Sequence, residues 1–380
     1  MPELPQGFRL LVVVTGLGRG GTERHLAAVL PALVARGAAV RVIALRKGGE
    51  LADALRAGGV AVEEAGTRVG GALAVLRAAL FWRPTVTHFF LPEAYLIGGV
   101  VTNITGGGKR VMSRRSLNAY QTAHPRAAER ERALHARMDA LVGNSAAICA
   151  ELVAEGAPRG RVALLRNGIV IGAPAVPRAA VRESLGIGPD ALVITCVANL
   201  IPYKGHAELI EAFGRARKQL PPGTTLVLAG RDEGMAVAIT AQSEAQAFID
   251  DVRILGERTD IAELLGASDM FVLASHEEGS PNAVIEAMGA GLPPIVTDVG
   301  GSPEAVGEAG VVVPARDAAA LTEALVTLGS DAGLRARLGA AAAARARNEY
   351  GLAACVERYV ALYAALIDGR EAGAVLPAPV

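Results

Sequence analysis

Two carboxylates separated by seven residues, Glu278 and Glu286, bracket the heart of the run HEEGSPNAVIEAMGAGLPPIVTDVGG. Between them Ser280 and Pro281 close a loop, and Asn282, Ala283 and Val284 open a helix expected to run from about residue 282 to about residue 290. The free amides and dipole at such a helix start favour an anion, a nucleotide phosphate for example. A carboxylate on either side suits a ligand rich in hydroxyl groups, because charge-assisted hydrogen bonds are strong and two oxygens can take a vicinal pair. On spacing alone the plainer reading is preferred: a solvated helix start with an acid capping its first turn.

Two further segments place chemistry-bearing residues just after apolar runs. In VANLIPYKGHAELIEAF, Lys204 sits in a Pro- and Gly-containing turn before a helix, where a cation at the carboxyl end of a parallel strand can neutralise a diphosphate. A lone loop lysine is as readily a solvated one. In TGLGRGGTERHL, Gly16, Gly18 and Gly21 satisfy the dinucleotide-binding pattern G-x-G-x-x-G. That pattern also asks for an acid at the end of the second strand, and this chain has Leu45, Arg46 and Lys47 there. NAD is thereby disfavoured, and an NADP-dependent oxidoreductase stands as an alternative reading. Otherwise Gly20 and Gly21 let backbone approach a sugar or phosphate, or simply make a tight strand-to-helix turn.

The elements that must position these residues are short apolar strands alternating with amphipathic helices, the pattern of parallel α/β sheets. Residues 12–15, 40–45, 86–90, 111–113, 140–143 and 162–165 read as one series of strands; 192–197, 225–229, 252–255, 270–273, 294–297 and 310–313 read as a second. Between the series, GIVIGAPAVPRAA (168–180) lacks periodicity and reads as a linker. The expected domains are therefore 1–172 and 181–355, followed by a C-terminal helix and tail over 356–380 that returns toward the first domain, with the last dozen residues frayed.

The 380 residues suffice for two such domains, and 51% hydrophobic against 20% charged residues excludes disorder for most of the chain. Cys149, Cys196 and Cys355 lie too far apart for a sequence-readable zinc site or disulfide framework, which suits a reducing cytoplasm. The run FRLLVVV reads as a buried strand rather than a signal peptide, and no uncharged stretch reaches the length of a membrane span. A net charge of zero conceals an asymmetry: residues 1–180 carry 23 basic and 12 acidic side chains, a balance of +11, and the remaining 200 carry a balance of −11. The basic half either meets an anionic partner, such as a phosphorylated lipid or the inner face of a membrane, or attracts the acidic half. In PRAAERERALHAR (125–137), Arg126, Arg130, Arg132 and Arg137 could face anionic lipid. Alternation with Glu129 and Glu131 and the scarcity of large apolar side chains favour a solvated helix. Nothing in the composition points to nucleic acid.

Taken together, GGTERH, GNSAAICAELVAEGAPRGRVALLRNGI, NLIPYKGH and the run from GERTDIAELLGASDMFVLASHEEGSPN to VTDVGG occur in an order that resembles glycosyltransferase family 4 over nearly the whole chain. The resemblance implies the GT-B fold: two Rossmann-like α/β domains with mostly parallel sheets facing across a cleft. It implies a retaining transfer from a nucleoside-diphosphate sugar, UDP-linked in preference to GDP-linked, to a hydroxyl of a glycan or lipid-linked acceptor, as in bacterial cell-surface polysaccharide or glycolipid synthesis. By matching position, Glu286 should hold the ribose and Glu278 the hydroxyls of the transferred sugar. Ser280, Pro281, Asn282, Ala283 and Val284 should hold phosphates and sugar through their backbone, Lys204 the diphosphate, and the loop at Arg258 the base. Gly20 and Gly21 should close over the donor from the other domain. Neither a metal nor a nicotinamide cofactor is expected, Lys204 and the helix amides supplying the positive field.

Two departures from the family pattern bear on activity. Asn199 stands where relatives usually carry an Arg beside the diphosphate, leaving Arg231 as the candidate replacement and a non-catalytic sugar-nucleotide-binding relative as a further alternative. Where many relatives place a His near the reacting carbon, this chain has Ser113, Arg114 and Arg115, with His88 on a neighbouring strand either packing or lining the acceptor pocket.

Overall fold

In a computed structural model describing residues 3–18, 20–117, 119–172 and 174–379, the alternating runs form two wholly parallel sheets. The first holds β1 (Arg9–Val14), β2 (Ala39–Ala44), β3 (Ala61–Glu64), β4 (Val86–Phe90), β5 (Lys109–Arg114), β6 (Ala140–Gly143) and β7 (Val162–Leu164), in the order β3-β2-β1-β4-β5-β6-β7. The second holds β8 (Val193–Val197), β9 (Thr225–Ala229), β10 (Val252–Ile254), β11 (Met270–Leu273), β12 (Pro294–Thr297) and β13 (Val311–Val313), in the order β10-β9-β8-β11-β12-β13. The strand order reverses between β1 and β4 and between β8 and β11, the switch points where open α/β sheets bind ligands beyond their carboxyl edge.

The chain's helices in the first part are α1 (Gly21–Ala35), α2 (Ala52–Ala57), α3 (Arg68–Arg77), α4 (Pro92–Thr105), α5 (Ala119–Ala123), α6 (Pro125–His135) and α7 (Ala146–Ala154). They continue with α8 (Arg178–Ser184), α9 (His206–Ala216), α10 (Ala236–Ala245), α11 (Ile261–Gly266), α12 (Asn282–Gly289), α13 (Ser302–Val306), α14 (Ala318–Ser330) and α15 (Ala332–Arg345). The last two are α16 (Leu352–Ile367) and α17 (Ala372–Val375). Central strands such as LLVVV are buried on both faces, so they read as continuous apolar runs. Strand β3, AVEE, is absent from the sequence reading because it is an edge strand of exposed and half-buried residues with no apolar run.

The chain forms two compact units, Met1–Val170 with Tyr350–Val380, and Ile171–Glu349. The second unit thus ends before the expected residue 355: Ile169 pairs with Gly351, donates to the Tyr350 carbonyl at 2.8 Å and accepts from Leu352 at 2.9 Å, which brings the chain back into the first unit. From there α16 contributes Cys355, Val356, Tyr359, Val360, Leu362, Tyr363 and Leu366 to the core on one face of the first sheet. The tail is not frayed: Ala372 is buried, and the Leu376 carbonyl accepts from the Leu164 amide at 3.1 Å along the edge strand β7. No helix among the described residues is long and apolar enough to cross a membrane.

Candidate functional site

Lys204 and Glu278 emerge from the two strands that flank the switch point of the second sheet. After β8 the chain passes Asn199 and reaches a single 3-10 turn, Pro202–Lys204, that ends on Gly205 with φ +68°. A Cβ there would overlap the Ala274 carbonyl, so glycine is what lets this turn press against the end of β11. Beyond β11 the other loop delivers Glu278, and Lys204 Nζ lies 2.6 Å from Glu278 Oε1. The same oxygen accepts the Ser275 hydroxyl at 2.7 Å. Thr297 steadies that loop by donating to the Ser275 carbonyl at 2.5 Å, and the His276 amide donates to the Tyr203 carbonyl at 2.7 Å. The side chains remain 18% and 10% exposed, so the pair is sheltered but reachable.

Its surroundings register the charges. Burial first, and the Lys204 ammonium second, push the His206 imidazole down to about 4, so it stays neutral at the start of α9. Burial pushes the Cys196 thiol up to about 12, with Lys204 opposing, and all three cysteines are free and buried. Helix α12 begins at Asn282 with Pro281 at its N-cap, whose side chain makes no cap, and no acid lies in its first turn. Ser280 and Asn282, with Ala283, are half-buried there, whereas Pro281 and Val284 are buried, and Glu286 is half-buried farther along the helix.

The other donor-side candidates are distributed around this edge. Asn199 Nδ2 donates to Glu233 Oε1 at 3.1 Å, and Arg231 Nη2 donates to the same oxygen at 2.6 Å. The expected replacement cation therefore does reach the neighbourhood of Asn199, but held by a carboxylate. Arg258 makes a two-point contact with Asp260, at 2.8 and 2.6 Å. In the first unit Gly20 and Gly21 are exposed at the start of α1, and the Glu23 carboxylate folds over Gly20 where a Cβ would sit. Arg46, counted on the phosphate side of the dinucleotide reading, instead pairs with Glu93 at 3.1 Å.

The acceptor-side candidates separate by strand alternation, successive residues of β5 and its continuation pointing to opposite faces. Arg114 is buried between Glu155 at 2.6 Å and Glu131 at 3.0 Å, with His135 3.1 Å from the other Glu155 oxygen. Burial raises the Glu155 carboxyl, but hydrogen bonds from His135 and Arg114 outweigh it and bring it down to about 2. Arg114 is thus a core residue rather than part of an acceptor surface, and Glu131 serves it instead of pairing along α6 as the sequence suggested. His88, on the other face, is fully buried between Ser113 Oγ (2.7 Å from Nε2) and Tyr363 Oη (2.8 Å from Nδ1). Of the two roles open to it, His88 takes the packing one. Arg115 is half-buried beside it and bonds Asn167 Oδ1 and the Tyr359 hydroxyl, both neutral acceptors. His25 completes the cluster, 2.9 Å from Tyr359 Oη.

Sequence reasoning missed Ser275, His25, Asn167, Tyr359 and Tyr363. The only signal was the four-residue spacing of Tyr359 and Tyr363, which puts both hydroxyls on one face of α16. Among the described residues no group of three or more His, Cys, Asp or Glu is arranged to hold a metal ion.

Two family models match the chain: one described as Glycosyltransferase Family 4 over residues 19–172, and one as Glycosyl transferases group 1 over residues 191–331. A GDP-mannose-dependent monoacylated alpha-(1-6)-phosphatidylinositol monomannoside mannosyltransferase of Corynebacterium glutamicum is 33% identical over 190 residues, covering 47% of this chain and 49% of its own. A D-inositol 3-phosphate glycosyltransferase of Streptomyces avermitilis is 31% identical over 226 residues, covering 56% and 48%. The chain spans about half the length of these curated relatives. Among solved structures, Anabaena HepE in complex with UDP-glucose superposes with a TM-score of 0.82 at 21% identity, over 95% of this chain and 99% of that one. That likeness shows the two-domain α/β fold named GT-B.

Proposed function

The chain belongs to the glycosyltransferase family 4, group 1 proteins, and from that premise we propose that it transfers a sugar from a nucleoside-diphosphate donor with retention of anomeric configuration. Membership sets aside the NADP-dependent oxidoreductase. The observation that carries the reading is the Lys204–Glu278 contact at the switch point of the second sheet, next to the start of α12.

A donor diphosphate placed against the first turn of α12 takes the Lys204 ammonium from Glu278. Glu278, still held by Ser275, is then free to accept from hydroxyls of the transferred sugar, and Glu286 from the ribose. Arg258 would release one of its two bonds to Asp260 to meet the base. The acceptor hydroxyl attacks from the face on which the nucleoside diphosphate departs, and the departing phosphate oxygen takes its proton. No side chain acts as nucleophile, and Lys204 with the α12 amides stabilises the negative charge that grows on the leaving group, without a metal. UDP-linked donors are preferred to GDP-linked ones, and the acceptor is a glycan or lipid-borne hydroxyl, in line with the glycolipid acceptor in the name of the Corynebacterium relative. The protein works in the cytoplasm at the inner face of the membrane.

A thermal-shift panel of UDP-sugars, GDP-sugars and NADPH tests the donor class, since a ligand that binds only the folded state raises Tm. Failure of every sugar nucleotide to bind would sink the reading. Slow donor hydrolysis then separates an enzyme from a non-catalytic binder, and hydrolysis unchanged in Glu278→Ala and Lys204→Ala would overturn the site assignment.

A further inference from the structure

We infer that the outer face of α3, α4 and α6 is a docking surface for an anionic lipid bilayer. The three helices lie side by side over one face of the first sheet, α4 packing against α3 on one side and α6 on the other. Their inner sides fill the core through Ala74, Val75, Ala94, Tyr95 and Leu134. The outer sides of α3 and α4 do not follow the usual polar pattern. Val69 and Leu73 are exposed on α3, and Phe81, in the helical extension Ala78–Trp82 that follows it, is 82% exposed. On α4, Val100 and Ile104 are exposed, Ile104 by 80%. Helix α4 has one charged side chain, Glu93, and that acid is paired with Arg46 and Arg68.

The rim supplies the second half of the argument. Arg126, Arg130, Arg132 and Arg137, on and just after α6, are all exposed, and none forms an ion pair among the described residues. Between residues 68 and 137 the chain carries eleven basic against three acidic side chains. Two of those acids, Glu93 and Glu131, are bonded to arginines within the unit. Read alone, α6 lacked apolar side chains and favoured a solvated helix; its neighbours supply them. An apolar centre with a cationic rim fits lipid headgroups that carry negative charge, the apolar side chains entering the headgroup boundary while the arginines meet phosphate. A second copy of this chain fits less well, because a symmetric contact would bring two basic rims together.

The inference deepens the location proposed above but does not depend on the donor chemistry, since its test uses neither donor nor acceptor. Trp82 is the chain's one tryptophan and lies beside Phe81, so it reports on this face directly. Full-length protein should co-sediment with vesicles of equimolar phosphatidylglycerol and phosphatidylcholine, about tenfold more weakly with phosphatidylcholine alone, and less as salt is added. Acyl-brominated lipid in the anionic vesicles should quench Trp82. Phe81→Ser with Ile104→Ser should weaken binding about tenfold. Arg126→Gln with Arg130→Gln, Arg132→Gln and Arg137→Gln should abolish the preference for anionic vesicles. Absence of co-sedimentation, vesicle binding without Trp82 quenching, or a concentration-dependent dimer abolished by the Phe81 and Ile104 substitutions in lipid-free solution would each overturn it.

Discussion

Each unit places a polar cluster at the carboxyl edge of its sheet around the switch point, and the two clusters hold charge in opposite ways. In the second, an ammonium faces a carboxylate at 2.6 Å beside the start of α12, so local charge is balanced. In the first, the Arg115 guanidinium is hydrogen-bonded to neutral acceptors and feels the Glu23 carboxylate, and two histidines are kept uncharged, by burial first and by Arg115 next. Balanced charge near the surface makes an exchangeable contact. A cation hydrogen-bonded to neutral groups, with the Glu23 carboxylate as its charged partner, is a fixed feature of the unit. Arg114, one residue earlier, shows the third arrangement: charge fully compensated inside the core.

The largest test of that contrast is Arg114→Met. It leaves Glu131 and Glu155 buried without their cation and should cost about 3–5 kcal/mol of stability in urea unfolding. A loss below about 1 kcal/mol would mean that the cluster is not held by charge. Next, Lys204→Ala should reduce kcat by about 10²–10³-fold with a smaller change in donor KM. A change confined to KM would make Lys204 a binding group only and erase the difference drawn between the clusters.

A pH series then compares the units in one experiment. The folded-state pKa of His206 is about 4 against 6.5 for the ordinary group, so the unfolded chain binds more protons between those values. Its stability is complete above about pH 6.5 and falls as pH drops to 4, by about 3 kcal/mol. His25 and His88, also lowered, add to the loss in the same direction. Glu155, at about 2 against 4.5, contributes a separate loss only as pH falls below 4.5. Urea midpoints that hold steady from neutral pH to pH 4 would contradict neutral burial of the histidines. The smallest effect concerns Asn199→Arg, which puts a cation beside the proposed diphosphate position and gives Glu233 a second guanidinium. Donor affinity should rise severalfold, by about 1 kcal/mol. No gain in isothermal titration would show that Arg231 already supplies that charge.

The local parts of the candidate site were legible in the sequence. The anion-favouring helix start after Pro281 follows from a loop-then-helix sequence, and the turn carrying Lys204 from Pro202 and Gly205 next to a strand end. Eleven residues of α9, with His206, Leu209, Ile210 and Phe213 inward, show the 3.6-residue period plainly. Strand β3 escaped because an edge strand needs no apolar run, and the helical tail because a short helix is recognised only by what it packs on. Arg114 misled because an arginine at a strand end looks the same in sequence whether it faces a ligand or two buried carboxylates. Of the surface proposed for lipid, the sequence offered only the arginines of α6, because no single helix contains both the apolar centre and the basic rim.

By itself the sequence determined the two series of parallel strands, the break between them and the motif around Glu278, because periodicity, turn chemistry and helix starts act over a few residues. Only the tertiary structure decided which charges meet. Lys204 and Glu278 lie 74 residues apart, at the ends of strands that are neighbours in the sheet but distant in the chain, and Arg115 and Asn167 lie 52 apart, at the ends of β5 and β7 with β6 between. The return of α16 into the first unit likewise sets His25 against Tyr359 and His88 against Tyr363, across 334 and 275 residues. Burial and partner choice fix the charge each side chain carries, and both are properties of packing that short-range patterns do not encode.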